Sequence, residues 1–492
     1  MSYYLYIILA YLLVLTGFNF YRSKRVKSQD DFMVAGRRLK TSVMVFTLIC
    51  TWIGSGTFIA GAEFAAQAGF SAIWLAAGAW VGIVVIYFLA AKIQTFGQYT
   101  IGDILEERYG PAARVFGAIA LIISFTAIVS YQFVGGGFIL EVATDGAIPE
   151  NYGITIAALF VILFTALGGM VAVAYTDLPN GIIIVLACIL AVPFVYVAAG
   201  GLPEAKQVLE PGYFAVVNEQ FGAHPTLKVG GYFLATMLLL MGVQGMYQKF
   251  YSAKSPREAK KSVILWTLGT IFVETVVVVI AVFAYSKLKD QLDLTIPREG
   301  GKIVLMAAKS LVPAPVGILL LGAACAVVIS TGMNYLLSPS TNIMRDIYQR
   351  FLKKDATQHT MVALQKVFVV ILGVLAFFLA MRLKSVLEMA IFAYTIYGVS
   401  ITPALIAALA WKRATKLGGL ISIISGTATC ILLRIMVEVL GPEKAPGGDP
   451  WGIPIIYYGV VVSLGSLIIV SLLTPKPKPE MLEKFFPKKA KR

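Results

Sequence analysis

The sequence has few charged residues and no long polar stretch. Charged residues make up 14% of its 492 residues, hydrophobic residues make up 58%, and the mean hydropathy is +0.81. Soluble proteins typically have about 25% charged and about 45–50% apolar residues. The scarcity of charge excludes an ordinary soluble domain and predicts an all-α polytopic membrane protein. Apolar runs of about 20 residues are typical of spanning helices and not of alternating barrel strands.

Cysteine and histidine, the residues that build zinc sites, are also scarce. The two histidines lie in polar segments, there is no HExxH motif, and the four cysteines lie in apolar runs without a CxxC pair. These absences argue against a disulfide framework and an intramembrane zinc protease. No catalytic dyad or cofactor loop occurs in the apolar runs, so we expect a protein that is not an enzyme.

Hydrophobic patterning predicts about thirteen transmembrane helices. The predicted spans are 3–21, 43–70, 73–94, 113–143, 153–172, 180–200, 229–248, 262–286, 304–335, 361–382, 387–411, 416–438 and 454–474. We divide the chain into an extra helix with its loop (1–42), a first five-helix repeat (43–200), an extracellular loop (201–228), a second five-helix repeat (229–411), two extra helices (412–474) and a basic tail (475–492).

Lysine and arginine collect in alternate loops. If the N-terminus is outside, the inside loops and the C-terminal tail carry 29 of the 41 Lys and Arg residues. The positive-inside rule therefore favours an N-out, C-in orientation and an odd number of spans. It also explains most of the net charge of +15 without a nucleic-acid partner. The basic tail either rests near anionic lipid headgroups or is simply solvated.

The second and seventh predicted spans contain glycine and polar residues that would interrupt a helix. The second reads "TWIGSGTFIAGAEFAAQAGFSAIW", and the seventh contains Gly242, Gln244 and Gly245. Each begins a set of five spans, and because five is odd, a second copy would enter the membrane from the opposite side. This pattern is typical of inverted-repeat transporters. The alternative is that the small residues only allow close helix packing.

Four motifs carry a family resemblance. They are "DDFMVAGRRL" (30–39), "GGMVAVAYTDLPNG" (168–181), "YQKFYSAKSPREAKKS" (247–262) and "ISTGMNYLLSPSTNIMRDIY" (329–348). Together they resemble the sodium/solute symporter family, which includes bacterial proline, pantothenate, sialic acid and galactose transporters. The resemblance implies a leucine-transporter-like fold of five plus five helices with extra helices at both ends. It also implies sodium-driven uptake of a small organic solute: an amino acid, a monocarboxylate, a vitamin or a sugar.

Other functions remain open at this point. A proton-coupled or uncoupled carrier of the same fold is the main alternative, and a membrane sensor is another. We expect a small-molecule substrate and the lipid bilayer as partners, Na⁺ as the coupling ion, and function as a monomer. The expected location is the plasma membrane of a bacterium or archaeon.

The resemblance implies a sodium site made of two hydroxyls and three backbone carbonyls. The hydroxyls are Ser330 and Thr331, which stand side by side inside an apolar run, and the carbonyls belong to Cys50, Ile53 and Val327. Other hydroxyls on the same span, Ser338, Ser340 and Thr341, are expected to bond their own helix or face water.

The remaining candidates are polar residues in or near the spans. Asp177 lies on the route by which sodium leaves, as the resemblance implies, or caps a helix that starts near Pro179, and the two roles are compatible. Lys249, where the family usually has arginine, is expected in a structural loop. Glu63 and Glu274 are ionisable groups in spans without an assigned role. The candidate substrate-binding residues are Ser55, Gly56, Thr57, Gln132 and Gln244.

Overall fold

The computed structural model describes residues 3–23, 29–296 and 298–486. In this part of the chain the secondary structure is helical, apart from one isolated bridge between Leu39 and Ala253. Helices satisfy their own backbone groups, as hydrocarbon surroundings require. The α-helices are α1 (Tyr3–Ser23), α2 (Gln29–Val34), α3 (Thr41–Trp52), α4 (Ala62–Ala68), α5 (Ile73–Phe96), α6 (Ile101–Tyr109), α7 (Pro111–Ala143), α8 (Glu150–Ala198), α9 (Gly201–Val208), α10 (Pro225–Gly242), α11 (Gln244–Ser252), α12 (Pro256–Leu288), α13 (Ile303–Ser310), α14 (Ala314–Asn342), α15 (Gln358–Met381), α16 (Val386–Ser400), α17 (Thr402–Ala410), α18 (Lys416–Lys444), α19 (Ile455–Leu473) and α20 (Pro479–Phe485).

Shorter helical turns join these elements. Two π-helical segments extend neighbouring α-helices: Gly56–Gly61 leads into α4, and Ile343–Leu352 continues α14. The 3₁₀ turns are Ala35–Arg37, Gly69–Ala72, Pro211–Phe214, Lys289–Gln291, Glu299–Lys302, Pro446–Gly448 and Pro450–Gly452.

The membrane-protein class is confirmed, but the count of thirteen spans is not. Among the described residues, eleven helical segments are long and apolar enough to cross a membrane. Two shorter apolar helices, Tyr4–Phe18 and Thr41–Trp52, lie at the positions of the first two predicted spans. The second predicted span is divided because its helix is interrupted after Trp52.

Both interruptions expected from the sequence are present. After α3, Ile53 is extended (φ −70°, ψ 115°), and helical structure resumes at Gly56. After α10, Val243 is extended (φ −63°, ψ 120°), and α11 begins at Gln244. Each interruption leaves the last carbonyl groups of one helix without intrahelical partners.

Two predicted boundaries are wrong, and both involve proline. The span predicted at 304–335 is two helices, because Pro313 separates α13 from α14. Conversely, α8 continues through Pro179, where a helix boundary was expected. Proline is tolerated inside membrane helices when neighbouring groups satisfy the freed backbone.

Helix α14 lies in the core. Residues 323–342 are all buried, and α14 packs against α3, α7 and α8. Its hydroxyl groups therefore face protein, and not lipid.

Candidate ion and substrate site

The two adjacent hydroxyls of α14 meet the broken end of α3. The Thr331 hydroxyl lies 2.8 Å from both the Cys50 and the Ile53 carbonyl oxygens and donates to them. The Ser330 hydroxyl lies 3.4 Å from the Cys50 carbonyl oxygen. The structure thus brings together four of the five residues predicted to bind sodium. Val327 is buried one helical turn before Thr331, and none of these contacts involves its carbonyl oxygen.

Gly54 makes this close approach possible. A Cβ atom at position 54 would lie 2.7 Å from the Thr331 hydroxyl oxygen and 2.8 Å from its Cβ. No side chain could occupy that space unless Thr331 moved. The glycine that breaks α3 therefore also lets α14 reach the freed carbonyls.

Asp177 adds a carboxylate to this cluster. It lies inside α8 and is fully buried. Its Oδ1 accepts a hydrogen bond from the Ser330 hydroxyl, and its Oδ2 accepts one from the Thr47 hydroxyl at 2.5 Å. The Cys50 thiol donates to its backbone carbonyl at 3.4 Å. The helix-capping alternative is therefore wrong, since no helix begins at Asp177.

Lys249 lies close to the same carboxylate. It is fully buried in the last turn of α11, where its ammonium group donates to the Asn334 side-chain oxygen and contacts the Met170 sulfur at 3.0 Å. Asn334 links it to Ser330, whose hydroxyl donates to Asp177. The expectation of a structural loop role for Lys249 was wrong, because the chain stays helical and buried to Ser252.

Sequence reasoning missed Thr47 and Asn334 as members of the cluster. Thr47 lies one turn before Cys50 on α3, and Asn334 lies one turn after Ser330 on α14, where its amide donates to the Ser330 carbonyl at 2.9 Å. Helical spacing from the predicted residues was the available signal. Of the other hydroxyls on α14, Ser340 and Thr341 bond their own helix as expected, whereas Ser338 donates to Gln248 at 2.6 Å.

The donor set of this cluster suits a small hard cation. Carbonyl, hydroxyl and carboxylate oxygens are the ligands that hard cations prefer. Among the described residues, no group of three or more His, Cys, Asp or Glu side chains could hold a metal ion. The cluster contains one buried carboxylate, Asp177, and one buried ammonium group, Lys249, so it could hold a monovalent ion such as sodium but has no excess negative charge for a multivalent one.

Two predicted substrate residues meet just beyond the break. The Ser55 backbone amide donates to the Gln132 side-chain oxygen at 2.9 Å. The Ser55 hydroxyl and the Gln132 side-chain nitrogen are buried and have no hydrogen-bond partner among the residues that the structure describes. Buried polar groups without partners are rare and mark places where a ligand or water can bind.

Gly56 and Thr57 line a neighbouring cavity of about 20 Å³. Trp52, Glu274 and Tyr394 also line it. The Tyr394 hydroxyl would lie 2.5 Å from a Cβ atom at position 56, so this glycine also allows a close contact.

Gln244 lies apart from the other substrate candidates. Its side-chain oxygen accepts from the Ile101 amide at 3.2 Å and from the Asn342 amide at 2.9 Å, and its nitrogen donates to the Ser338 carbonyl at 3.2 Å. Asn342 in turn donates to Asp346 at 2.6 Å. The structure does not bring Gln244 to Ser55 and Gln132, and its place in substrate binding stays a prediction.

The two unassigned glutamates have different surroundings. Glu63 accepts from the Ser385 hydroxyl at 2.7 Å and from the Leu387 amide at 3.1 Å, so it holds the N-terminus of α16. Glu274 accepts from two indole N–H groups, that of Trp52 at 2.8 Å and that of Trp80 at 2.7 Å. Only Glu274 lines the cavity beside Gly56.

A family model described as the sodium:solute symporter family matches residues 32–426. The chain belongs to this family. It is 25% identical over 484 residues to the osmoregulated proline transporter OpuE of Bacillus subtilis (strain 168), covering 95% of this chain and 94% of the relative. It is 26% identical over 489 residues to the high-affinity proline transporter PutP of the same strain, covering 95% and 97%.

Solved structures share the fold. A Na⁺-coupled sialic acid symporter in a substrate-bound outward-open state superposes with a TM-score of 0.77 at 16% identity, covering 96% of this chain and 98% of that one. MhsT in complex with L-phenylalanine superposes with a TM-score of 0.55 at 15% identity, covering 87% and 97%. These neighbours have the leucine-transporter-like fold, which confirms the expected fold class.

The sequence resemblance to the symporter family is therefore confirmed. The family and the relatives are transporters and not enzymes, and the chain is a multi-pass cell-membrane solute symporter.

Proposed function

We propose that the protein couples the entry of sodium to the uptake of a small organic solute by alternating access. The proposal includes thirteen spans and an N-out, C-in orientation, as the distribution of Lys and Arg favours. The observation that carries it is the junction of Thr331 and Ser330 with the freed carbonyls of α3, beside the carboxylate of Asp177.

The proposed ion site joins two helices that otherwise meet through few polar contacts. A sodium ion bound by the Cys50 and Ile53 carbonyls and by the hydroxyls of Ser330 and Thr331 would hold α3 against α14. An ion that binds one arrangement of two helices better than another shifts the population toward that arrangement. This differential affinity is the physical basis for driving a conformational change with a sodium gradient.

The proposed substrate position is coupled to the ion through the broken segment. The Ile53 carbonyl belongs to the ion cluster, and the Ser55 amide, two residues later, belongs to the Gln132 cluster. An ion that orders this short segment also orders the groups that would meet the solute. Substrate and ion would then bind cooperatively, with each raising the affinity for the other by the same factor.

Asp177 is proposed to receive the ion as it leaves. Its carboxylate is bonded to Ser330 on one oxygen and to Thr47 on the other. An ion moving from the Ser330 hydroxyl toward α8 would meet this carboxylate next. The nearby ammonium group of Lys249 repels a sodium ion at Asp177 and therefore favours its release, because like charges repel.

The solute belongs to the class of amino acids, monocarboxylates, vitamins and sugars. Two relatives are named as proline transporters, which makes L-proline the first solute to test. A proton-coupled or uncoupled carrier of the same fold is the second candidate, and replacing the sodium gradient by a proton gradient distinguishes it.

The experiment is uptake of labelled L-proline into proteoliposomes with a sodium gradient or an equal potassium gradient. We expect sodium to stimulate uptake in the wild type, and the double variant Ser330→Ala, Thr331→Ala to lose the stimulation while it remains folded. The matched control is Ser340→Ala, Thr341→Ala on the same helix, whose hydroxyls bond the Leu337 carbonyl of that helix. Unchanged sodium dependence in the first double variant would refute the assigned ion site.

A further inference from the structure

The cavity beside the broken end of α3 contains a buried carboxylate. Glu274 of α12 lines this cavity of about 20 Å³ together with the aromatic rings of Trp52 and Tyr394. Such a volume holds about one water molecule. A solute of the size of an amino acid would therefore bind here in a conformation in which this cavity is wider.

The Glu274 carboxylate has no ion-pair partner among the residues that the structure describes. Its two hydrogen-bond donors, Trp52 and Trp80, are neutral. An ionised carboxylate in a buried position is costly unless a positive charge compensates it or it takes up a proton. A carboxylate can also accept about four hydrogen bonds, so the two indole N–H groups leave part of its capacity unused.

The walls next to Glu274 also favour a cation. The rings of Trp52 and Tyr394 lie with their centroids 6.0 Å apart at an interplanar angle of 36°. Tryptophan and tyrosine faces attract cationic nitrogen, and the attraction increases when water is excluded. The start of the resumed helix at Gly56 and Thr57 also lines the cavity, and the Thr57 amide donates to the Gly54 carbonyl at 3.0 Å.

We propose that Glu274 binds a positively charged nitrogen of the transported solute, so that the solute is a zwitterion or an organic cation with a protonated or quaternary amine. This inference rests on the proposed function and narrows its solute class. The amine lies against Glu274 and the aromatic rings of Trp52 and Tyr394. Sugars and nitrogen-free monocarboxylates leave the Glu274 charge uncompensated and are rejected.

A purely structural role for Glu274 makes a different prediction. Its two bonds join α3 to α12 through Trp52, and α5 to α12 through Trp80. If the carboxylate only held these helices together, Glu274→Gln would lower the melting temperature by the same amount whichever solute is present. If it recognises an amine, its loss changes the discrimination between charged and uncharged ligands.

The test uses pairs of ligands that differ in one atom type. L-proline is compared with cyclopentanecarboxylate, and glycine betaine with tert-butylacetate, by thermal shift of the purified protein in sodium. We expect wild-type protein to be stabilised by at least one nitrogen-containing member and not by its carbon counterpart, since a ligand that binds only the folded state raises its stability. Glu274→Gln should weaken binding of that ligand by about 10-fold or more, the loss of one charge-assisted contact.

Trp80→Phe is the matched control. It removes one donor to Glu274 but keeps the carboxylate, and Trp80 does not line the cavity. We expect this variant to lose some stability while it keeps the preference for the charged ligand. If Glu274→Gln binds the charged ligands as tightly as the wild type, the inference is wrong.

The outcome also separates this inference from the function on which it rests. Sodium-stimulated uptake of a sugar or a nitrogen-free acid, with no effect of an amine, would overturn the role of Glu274 and leave sodium coupling intact. Uptake of an amine that is sensitive to Glu274→Gln but independent of sodium would support amine recognition by Glu274 and overturn the proposed sodium coupling.

Discussion

The two helix breaks have nearly the same backbone conformation, but different side chains surround them. The extended residue is Ile53 (φ −70°, ψ 115°) in one and Val243 (φ −63°, ψ 120°) in the other. At the first break the freed carbonyls meet the small hydroxyl of Thr331. At the second break the Gly242 carbonyl meets the phenol of Tyr397 at 2.9 Å.

A helix break alone therefore does not make an ion site. The first break has a second hydroxyl and a carboxylate close by, those of Ser330 and Asp177. The second break is filled by groups that already satisfy one another: the Gln244 amide donates to the Tyr397 hydroxyl at 3.0 Å, and its side chain bonds Asn342. We therefore expect the first break to bind sodium and the second to hold the fold.

The second break also connects to a cluster of charges. Asn342 donates to Asp346, whose carboxylate lies 2.7 Å from the Arg114 guanidinium. Arg114 contacts Asp103 at 2.5 Å as well. This buried network fixes α6, α7 and α14 with its π-helical extension at one end of the bundle, whereas the charged groups described at the first break are Asp177 and Lys249.

The largest expected difference comes from adding one methyl group after each break. Gly54→Ala places a Cβ atom 2.7 Å from the Thr331 hydroxyl oxygen, whereas Gly245→Ala places one 3.2 Å from the Thr51 methyl group. Overpacking of the first kind costs about 1–3 kcal/mol, which as lost ion affinity is about 5–150-fold. We expect Gly54→Ala to raise the sodium concentration for half-maximal uptake by such a factor, and Gly245→Ala to leave it nearly unchanged. Equal effects of the two substitutions would show that the breaks do not differ in the proposed way.

The next largest effect concerns the carboxylate at the first break. Asp177→Asn keeps the shape of the side chain but removes the charge that lies beside Ser330 and Thr47. We expect the sodium concentration for half-maximal uptake to rise about 10-fold, equivalent to about 1.4 kcal/mol. Thr47→Val serves as the control, since it removes one hydrogen bond to Asp177 and leaves the charge in place. An Asp177→Asn variant with wild-type sodium affinity would contradict a direct role for the charge.

The sequence alone could predict both helix breaks, and it could predict that the hydroxyls of Ser330 and Thr331 belong to one site. Glycine content and the order of the motifs carry that information. It could not show that Lys249 is buried near Asp177, because that depends on which faces of α8 and α11 turn toward α14. Nor could it separate Gln244 from Ser55, since both follow a break at nearly the same distance. Local spacing predicts which backbone groups a helix break leaves without intrahelical partners, and tertiary packing decides which groups contact them.

The smallest effect on sodium dependence is expected at the second break. Tyr397→Phe leaves the Gly242 carbonyl and the Gln244 amide without their buried partner. Each unsatisfied buried group costs about 1–3 kcal/mol, so we expect a lower melting temperature. Sodium stimulation of uptake should remain, measured at a temperature where the variant is folded. A loss of sodium stimulation with unchanged stability would instead place an ion-coupling group at the second break.

The most direct measurement is equilibrium binding of radioactive sodium to purified protein, without solute or gradient. It compares the wild type with Thr331→Ala at the first break and Tyr397→Phe at the second. We predict saturable binding by the wild type and by Tyr397→Phe, and loss of saturable binding by Thr331→Ala. Wild-type binding by Thr331→Ala, or its loss in Tyr397→Phe alone, would contradict the assignment of the sodium site to the first break.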